Sequence, residues 1–396
     1  MVNWDRFSFD FKFSWERLFS LLVDIESYKE AALNLVLPPD WKEKLDRLNR
    51  VRAVHGTTAL EGNPLSESEV SLQIDSVKQE KSGAGKVSKE QLQIRNAAVA
   101  QEWVKLRFTP GTDPVKLSDI LHMHRLVTTD SDTKNNQPGA LRSFPVTVGS
   151  PDMGGVHKGA PHERLPQMME EFVAFINSRK LKDQHPVVQA LLAHFFLVTI
   201  HPFGDGNGRV SRLLEAGILY QHEYNIFGFY GLSNYFYSHE VQYKTLLQQC
   251  RSQHPFDVAA FITFGVEGFS AELKGINNFI KTKLNRVIYR QMMVRTFQKR
   301  VSPRRRLLNQ REWNLLDFLL TETEPSDPFS DSPSRRVKFS ELRESQYIRG
   351  AYRRVTPRTF FRELSRLSHL GFILLRRDET IKDWIVELNF EAIGKY

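Results

Sequence analysis

An apolar segment of helical length that runs into a glycine-rich stretch constrains this chain more than any other feature. Residues 186–200 (PVVQALLAHFFLVTI) are almost entirely apolar, and residues 213–219 (LLEAGIL) return to apolar positions at helical spacing. We therefore expect two buried helices. The residues between them, 201–212 (HPFGDGNGRVSR), form a loop that opens the second helix.

The composition of that loop suits a polyphosphate. Gly204, Gly206 and Gly208 free the backbone, so that successive N–H groups can converge on an anion at the start of a helix. The helix dipole adds to this effect. Arg209 and Arg212 stand three residues apart and can share one helix face near these groups.

Two further side chains of the loop supply chemistry. The Asp205 carboxylate offers one hard oxygen ligand, which suits a Mg²⁺ ion that keeps most of its waters and bridges phosphates. His201 lies at the start of the loop, where an imidazole can take a proton from a hydroxyl nucleophile. A glycine-rich helix start with a solvated arginine pair and a structural histidine is the alternative interpretation.

Residues 201–212 resemble the motif of the Fic family, His-x-Phe-x-Asp/Glu-Gly-Asn-Gly-Arg-x-x-Arg, and match it without a departure. The resemblance implies transfer of AMP from ATP to a protein hydroxyl, with His201 as the base and Asp205 on the magnesium ion. It places the other motif residues around the nucleotide, namely Phe203, Gly204, Gly206, Asn207, Gly208, Arg209 and Arg212. A kinase-like branch of the family has a degenerate loop, so the complete Gly-Asn-Gly-Arg favours nucleotidyl transfer.

A second motif lies upstream, at the end of a predicted helix. Thr57-x-x-x-Glu61-Gly62 fits a plain helix C-terminus, since glycine often ends a helix and Pro64 cannot continue one. It is also similar to the inhibitory motif Ser/Thr-x-x-x-Glu-Gly/Asn of many Fic proteins. The resemblance implies that Thr57, Glu61 and Gly62 belong to an inhibitory helix that precedes the catalytic core.

Two extended arms between the motifs predict a β-hairpin. Residues 144–149 (FPVTVG) alternate as a strand does, and residues 154–161 (GGVHKGAP) form the second arm. The Fic family has such a flap beside its active site, where a target segment can add a strand, so we expect a target protein to dock around residues 144–160. We expect Arg142 at the base of the hairpin and His157 on its surface.

Four residues outside the motifs have an expected structural or binding role. His194 is expected to be a buried, hydrogen-bonded histidine. The family carries aromatic and polar groups around the adenine, and Tyr235 and Tyr243 are the candidates here, with simple packing as the alternative. Cys250 is the single cysteine of the chain and lies in an amphipathic segment, so a buried structural thiol is expected.

The positive charge of the chain is concentrated at its C-terminal end. The net charge is +9, and residues 281–396 hold 25 Lys and Arg against 14 Asp and Glu. A basic C-terminal part indicates an anionic partner. Three helices followed by two short strands are similar to a winged helix, in which residues 356–367 would be the recognition helix. Arg358, Arg362 and Arg366 would then lie along one face toward DNA, and a protein-docking module is the alternative.

The sequence therefore predicts a mainly α protein in four parts. These are an N-terminal helical region over 1–115 with the inhibitory motif at 57–62, a Fic-type helical core with a small β-hairpin flap over 116–280, a connecting helix over 281–300, and a winged-helix-like α+β domain over 301–396. The expected function is an autoinhibited protein adenylyltransferase that uses ATP and Mg²⁺. The alternatives are removal of AMP from a modified protein, with Glu61 orienting water, and a DNA-binding regulator whose Fic core senses a nucleotide.

The remaining expectations concern partners and surroundings. No apolar run approaches the length of a membrane span and the N-terminus lacks a signal-peptide core, so a cytoplasmic protein is expected. The candidate partners are a target protein, DNA at residues 301–396 and a second copy of the chain. Residues 81–86 (KSGAGK) are expected to be a loop and not a phosphate site, because no strand precedes them and no Lys-Ser/Thr pair ends them.

Overall fold

The computed structural model describes residues 2–34, 39–78, 87–130, 136–151, 155–224, 232–302, 305–325, 332 and 334–391. The loop predicted at 81–86 lies outside these residues. Contacts between residues divide the chain into two units, residues 1–273 and residues 274–396. The four-part division predicted from the sequence stays a prediction.

Helices dominate the first unit, so the predicted mainly α class is confirmed. Its helices are α1 (Phe19–Leu33), α2 (Pro39–Ala59), α3 (Glu67–Lys78), α4 (Lys89–Arg107), α5 (Leu117–Thr128), α6 (Leu165–Ile176), α7 (Arg179–Lys182), α8 (Pro186–Ile200), α9 (Asn207–Gln221), α10 (Ser233–Ser238), α11 (Glu240–Cys250) and the first part of α12 (Ala259–Gln298).

Helices α8 and α9 form the middle of this unit. Residues 187–200 of α8 are all buried, which explains why the segment is apolar on every face. Helix α9 packs against α8, and its residues 209–219 are buried as well. The loop between the two helices is therefore held at both ends by fully packed elements, as a rigid site requires.

Two small sheets complete the first unit. Strand β1 (Phe11–Lys12) pairs in parallel with β4 (Phe256–Asp257). Strands β2 (Thr147–Ser150) and β3 (Gly155–Lys158) form an antiparallel pair, which confirms the predicted hairpin. The β1–β4 pair was not predicted, because two-residue strands from distant parts of the chain leave no local pattern.

The second unit combines short helices with a small sheet. Its elements after α12 are β5 (Arg300–Ser302), β6 (Arg305–Arg306), α13 (Gln310–Glu322), β7 (Val337–Lys338), α14 (Phe339–Glu344), α15 (Gln346–Ala351), α16 (Pro357–His369), β8 (Ile373–Asp378) and β9 (Asp383–Leu388). Strand β5 pairs with β6, and the other three strands form an antiparallel sheet in the order β7-β9-β8. The winged-helix assignment stays a prediction.

The position of Arg366 corrects the predicted basic face of α16. Its Nη1 bonds the carboxylate of the buried Glu312, and its Nη2 donates to the carbonyl of Leu307 at 2.6 Å. Arg358 and Arg362 are exposed. Residues eight apart on an α-helix differ in direction by about 80°, so the third arginine of the series turns away from the first.

None of the helices in the described part of the chain combines the length and the apolar character that a bilayer span requires.

Candidate active site

The loop between α8 and α9 takes its shape from two residues with positive φ. His201, which ends α8, has φ 56° and ψ 58°. Gly206, the N-cap of α9, has φ 80°. The left-handed conformation at Gly206 directs the chain into α9, where the N–H groups of Asn207 and Gly208 open the helix. These N–H groups have no carbonyl partner inside the helix and suit an anion.

Asn207 and Phe203 lock this loop. The Asn207 side chain accepts a hydrogen bond from the Phe203 N–H at 2.9 Å and donates to the Phe203 carbonyl at 2.8 Å. The buried Phe203 ring stacks on His124 of α5, with ring centres 3.8 Å apart. Because Nδ1 of His124 accepts from the Gly139 N–H, its Nε2 carries the proton and donates to the carbonyl of Asp205 at 3.1 Å. His124 is thus a structural support of the loop.

Asp205 and Arg209 form an ion pair at the first turn of α9. Arg209 Nη2 donates to Asp205 Oδ2 at 2.9 Å, and Arg209 Nη1 donates to the carbonyl of Val127. Burial alone would raise the pKa of Asp205, but the Arg209 charge and the Gly206 N–H hold that pKa below its usual range. The side chain of Arg209 is almost wholly buried, whereas a third of the Asp205 side chain is exposed.

The donor set at Asp205 fits a magnesium ion that is bound mainly through phosphates and water. Asp205 and Glu61 are the two carboxylates among the residues that line the cavity, and no cluster of three or more His, Cys, Asp or Glu side chains suited to a metal occurs among the described residues. Mg²⁺ is commonly bound by one or two carboxylates together with substrate phosphates, and it then neutralises phosphate charge. Asp205 is the residue that would hold it.

His201 has the protonation state of a base. Its Nδ1 lies 3.3 Å from the carbonyl of Val198, so Nδ1 carries the proton and Nε2 keeps a free lone pair. Burial lowers the pKa of His201 to about 4, and the charges of Arg251 and Arg142 act in the same direction. The ring is therefore neutral at pH 7 and can accept a proton.

A cavity of about 460 Å³ lies at the start of α9. It is bordered by the loop, by residues 60–61, by the hairpin and by α11. Residues 60–61 directly follow α2, and we call residues 39–62 the α2 segment. The lining residues are Leu60, Glu61, Val148, Gly149, Ser150, Gly155, Val198, His201, Gly204, Asp205, Gly206, Asn207, Gly208, Arg212, Tyr243, Lys244, Leu247, Gln248 and Arg251. This volume is in the range of pockets that hold small ligands.

Glu61 enters this cavity and pairs with Arg212. Arg212 Nη2 donates to Glu61 Oε1 at 2.6 Å, and Arg212 Nε donates to Thr57 Oγ1 at 2.8 Å. Burial alone would raise the pKa of Glu61, but the charges of Arg212 and Arg209 hold that pKa below its usual range. A Cβ at Gly208 would lie 2.4 Å from Glu61 Oε1, so only glycine leaves room for this carboxylate.

Comparison with known proteins agrees with this geometry. Residues 114–219 match the family model described as "Fic: Fic/DOC family". The chain therefore contains a Fic/DOC-family domain.

Curated relatives of the Fic domain have the name protein adenylyltransferase Fic. The Aedes aegypti protein is 33% identical over 169 residues, which are 43% of this chain and 32% of that protein. The Drosophila melanogaster protein is 36% identical over 135 residues, which are 34% of this chain and 26% of that protein. The chain thus matches only about a third, or less, of the length of these relatives.

Solved structures share the fold. A Fic family protein from Desulfovibrio desulfuricans G20 has a TM-score of 0.54 at 19% identity, over 94% of this chain and 96% of that one. Fic-1 from C. elegans has a TM-score of 0.54 at 21% identity, over 67% of this chain and 73% of that one. At these identities the likeness is one of fold.

Most residues predicted for the site meet at the cavity of the Fic domain. The predicted residues that line it are Glu61, His201, Gly204, Asp205, Gly206, Asn207, Gly208, Arg212 and Tyr243. Phe203 and Arg209 are not among its lining residues and support the loop instead. Thr57 holds Arg212, and Gly62 ends the α2 segment with φ 84°.

Tyr235 is likewise absent from the lining of the cavity. Its ring packs on His239 and Phe264, with ring centres 4.3 and 5.1 Å away. It also presses on Gly268 of α12, where a Cβ would lie 2.3 Å from the Tyr235 ring. The packing interpretation of Tyr235 agrees with this position, whereas Tyr243 is both packed and at the cavity.

The hairpin of the Fic domain is tied to the loop by Arg142, at the predicted place. Its guanidinium donates to the carbonyls of His201, Phe144 and Ala160, at 2.8, 2.6 and 2.5 Å. Three bonds to backbone carbonyls fix the base of the hairpin beside the end of α8. Burial lowers the pKa of Arg142 to about 10, which leaves it charged at pH 7.

His157 was predicted on the surface, and that prediction is wrong. The residue is 2% exposed, and its Nε2 lies 2.7 Å from the carbonyl of Thr199. The ring of Trp4 lies beside it, with centres 6.1 Å apart. A strand residue that faces the protein body is buried once another segment covers it, which local alternation does not show.

Arg251 is a cavity residue that the sequence analysis missed. It donates to Thr199 Oγ1, to the carbonyl of Val198 and to Gln248 Oε1, which are all uncharged acceptors. Burial lowers its pKa to about 10, so the side chain is a charged group inside the site. An arginine at the end of a helix is common, so its position in the sequence carried no signal.

Two further predictions made for single residues are confirmed. His194 is fully buried and hydrogen-bonded on both ring nitrogens. Cys250 is a buried free thiol, and burial raises its pKa to about 11. A thiol that stays protonated at neutral pH is a poor nucleophile.

Proposed function

We propose that the Fic domain transfers AMP from ATP to a hydroxyl group of a target protein, and that Glu61 holds this activity low. One observation carries the proposal: His201, whose Nδ1 is at the Val198 carbonyl, and the first two residues of α9, Asn207 and Gly208, line the same cavity. A base beside an anion site is the arrangement that nucleotidyl transfer to a hydroxyl requires.

The phosphates of ATP fit the charged end of this cavity. The N–H groups of Asn207 and Gly208, the Arg212 guanidinium and the Arg251 charge border it together. Asp205 would hold a magnesium ion that neutralises phosphate charge. In the reaction, the target hydroxyl gives its proton to His201 Nε2 and its oxygen bonds the α-phosphorus. The bond from the α-phosphorus to the bridging oxygen breaks, and pyrophosphate leaves with that electron pair.

The hairpin offers one edge to a target strand. The carbonyl of Val156 accepts a hydrogen bond from Gln248, and that of Lys158 accepts one from Trp4, so the outer edge of β3 is occupied. No strand of the described residues pairs with the outer edge of β2. A target segment would add there, along Thr147 and Gly149, and present its hydroxyl to the cavity.

The Glu61 contact explains why we expect little activity from the isolated wild-type protein. Arg212 donates a hydrogen bond from Nε to the Thr57 hydroxyl. Its Nη2 donates to both the Thr57 carbonyl and the Glu61 carboxylate. A phosphate that needs the guanidinium must compete with this carboxylate. A triphosphate that binds in a displaced position leaves the α-phosphorus out of line with the hydroxyl, which is costly in rate.

Labelled ATP tests the proposal. The purified protein and its Glu61→Gly variant are incubated with ATP labelled on the α-phosphate, alone and with a cell lysate. We expect label on protein with Glu61→Gly and little with the wild type. The control is Glu61→Gly with His201→Ala, which should label protein far more weakly because the base is lost. Label from γ-labelled ATP, with none from α-labelled ATP, would instead show phosphoryl transfer and refute the proposal.

A second function is proposed for the C-terminal unit, namely binding of duplex DNA. A groove there is lined by Phe339, Arg343, Arg358, Phe361, Arg362 and Ser365, with no acidic residue among the described lining. Arg358 and Arg362 lie on consecutive turns of α16, a spacing that suits phosphates along a duplex. Fluorescence anisotropy with a labelled duplex at low salt tests this, and absence of binding there would favour a protein partner.

A further inference from the structure

A buried chain of hydrogen bonds runs from Tyr243, beside Arg212, into the core of the Fic domain. Tyr243 and Arg212 line the same cavity and interact electrostatically, and the Tyr243 hydroxyl lies 2.8 Å from His194 Nε2. His194 Nδ1 lies 2.7 Å from Glu215 Oε2, and Glu215 Oε1 accepts from the Leu232 N–H at 3.0 Å. His194 and Glu215 are both 0% exposed. No step of the proposed reaction uses either side chain.

The donor at every bond of this chain can be assigned. Arginine only donates, so the Tyr243 oxygen turns its lone pairs to Arg212 and its own proton is free for His194 Nε2. Burial lowers the pKa of His194, so the ring is neutral and its remaining proton is on Nδ1. That proton goes to Glu215 Oε2, and the other carboxylate oxygen, Oε1, accepts from the Leu232 N–H. The direction runs from Arg212 through Tyr243 and His194 to Glu215.

We propose that Glu215, His194 and Tyr243 are positioning residues that fix the Arg212 guanidinium for the phosphates of the nucleotide. This inference rests on the proposed function for the role of Arg212. This hydrogen-bond network contains residues of α8, α9 and α11, together with Leu232, which precedes α10. Four separate packed segments therefore hold the network in place. A buried network whose members are all satisfied stays in a single arrangement.

The hydrogen-bond network becomes most important for Arg212 when Glu61 moves out of the cavity. Arg212 is otherwise held by Thr57 and Glu61, which both come from the α2 segment. Once that segment moves, Tyr243 is the contact to Arg212 that remains from the body of the domain. It interacts with the guanidinium without neutralising it, so the full positive charge stays available to a phosphate.

The Glu215→Gln substitution tests this hydrogen-bond network. Glutamine has the shape of glutamate, but a donor nitrogen replaces one of the acceptor oxygens. A glutamine offers one acceptor oxygen and one donor nitrogen, so it cannot accept from both Leu232 and His194. If the nitrogen faces His194, Nδ1 must become an acceptor and Nε2 a donor. The Tyr243 proton is then directed at Arg212. In the Glu61→Gly background we expect Mg²⁺-ATP to bind about tenfold more weakly, because an interaction with a charged group is disturbed.

A double-mutant cycle with Arg212→Ala separates positioning from plain stability. In the Arg212→Ala background the Glu215→Gln change should no longer affect Mg²⁺-ATP binding. Tyr243→Phe, which removes only the hydroxyl, should behave like Glu215→Gln in both backgrounds. An equal loss of binding with and without Arg212 would overturn the proposal, and so would unchanged binding in the Glu215→Gln protein.

The first unit contains a matched control. Glu26 accepts hydrogen bonds from His185 and Tyr224, the same three residue types, and does not line the cavity. Glu26→Gln should lower the melting temperature without weakening Mg²⁺-ATP binding. A weakening equal to that of Glu215→Gln would show a general effect of removing a hydrogen-bonded carboxylate and overturn the proposal.

A double-mutant cycle measured by unfolding, without nucleotide, tests the hydrogen-bond network independently of the proposed function. Unfolding by urea of the wild type, Glu215→Gln, Arg212→Ala and the double variant measures whether the two residues interact at all. Non-additive changes are expected, and additive ones would overturn the chain even if ATP binds. If the Glu61→Gly protein binds no ATP while the unfolding cycle is non-additive, the proposed function fails and the chain stands as a structural network.

Discussion

Oε1 of Glu61 and Nη2 of Arg212 lie 2.6 Å apart although 151 positions separate the two residues in the sequence. The pair brings the end of α2 onto the first turns of α9, at the point where the open N–H groups of α9 face the cavity. A carboxylate thus occupies a place that suits a phosphate.

Removal of the carboxylate should raise the proposed AMP transfer. Glu61→Gly frees the Arg212 guanidinium, so we expect strong self-labelling from α-labelled ATP where the wild type gives little. Glu61→Gly combined with Arg212→Ala should lose that gain. Equal labelling of wild type and Glu61→Gly on self and lysate targets would show that Glu61 does not inhibit. Loss of an AMP-removing activity in Glu61→Gly would instead favour removal of AMP from a modified protein, with Glu61 orienting water.

Loss of the His201 base should lower AMP transfer without weakening nucleotide binding. His201→Ala in the Glu61→Gly background should lower AMP transfer by about 10²–10⁴, the usual effect of losing a general base. Binding of Mg²⁺-ATP, measured by calorimetry, should change little, because the N–H groups and Arg212 remain. Undiminished transfer by this variant would remove His201 from its assigned role.

Gly56 should be needed for the inhibitory contact. A Cβ at this position of α2 would lie 2.7 Å from backbone atoms of Ser233 and Asn234 in α10. Gly56→Ala should therefore push α2, and Glu61 with it, away from the cavity. We expect higher AMP transfer and a stability loss of about 1–3 kcal/mol.

The control for Gly56→Ala is Gly350→Ala, since a Cβ there meets no atom within 4 Å. The double variant Gly56→Ala with Glu61→Gly should be no more active than Glu61→Gly alone. Additional activation in the double variant would mean that Gly56 acts by another route, and that result would contradict the prediction.

The pH dependence should reflect the neutral state of His201. Burial lowers its pKa to about 4, and protonation of Nε2 abolishes its function as a base. The rate therefore falls as the pH drops, but only near the lowered pKa. In the Glu61→Gly protein, kcat/KM for AMP transfer at pH 5.5 should stay close to its value at pH 7.5. A histidine with the usual pKa of about 6.5 would lose roughly nine-tenths of its rate there.

The arginines of α16 should divide into two kinds. Arg358→Ala with Arg362→Ala should weaken duplex DNA binding and lower its salt slope by about 2, one for each phosphate contact. Arg366→Ala should leave that slope unchanged and destabilise the unit, because it leaves Glu312 buried without its partner. A salt slope that depends on Arg366 as much as on Arg358 would contradict this assignment.

The sequence by itself determined the parts of this protein that local pattern controls. The apolar segment 186–200 could only be a buried helix, and the glycines that follow it had to be a loop before a second helix. The chemical groups at fixed spacing within that loop, His201, Asp205 and Arg212, were therefore assigned from the sequence. The hairpin and the base position of Arg142 followed from alternation and turn residues in the same local way.

Only the tertiary structure decided which side chains from distant segments meet. Burial of His157 depends on Trp4, the inward turn of Arg366 depends on Glu312, and the charge of Arg251 enters the cavity from the end of α11. Helical spacing gives the face of a residue but not the element that covers it. The chain from Arg212 to Glu215 likewise exists because four packed segments converge, and convergence of that kind leaves no periodic trace in a single sequence.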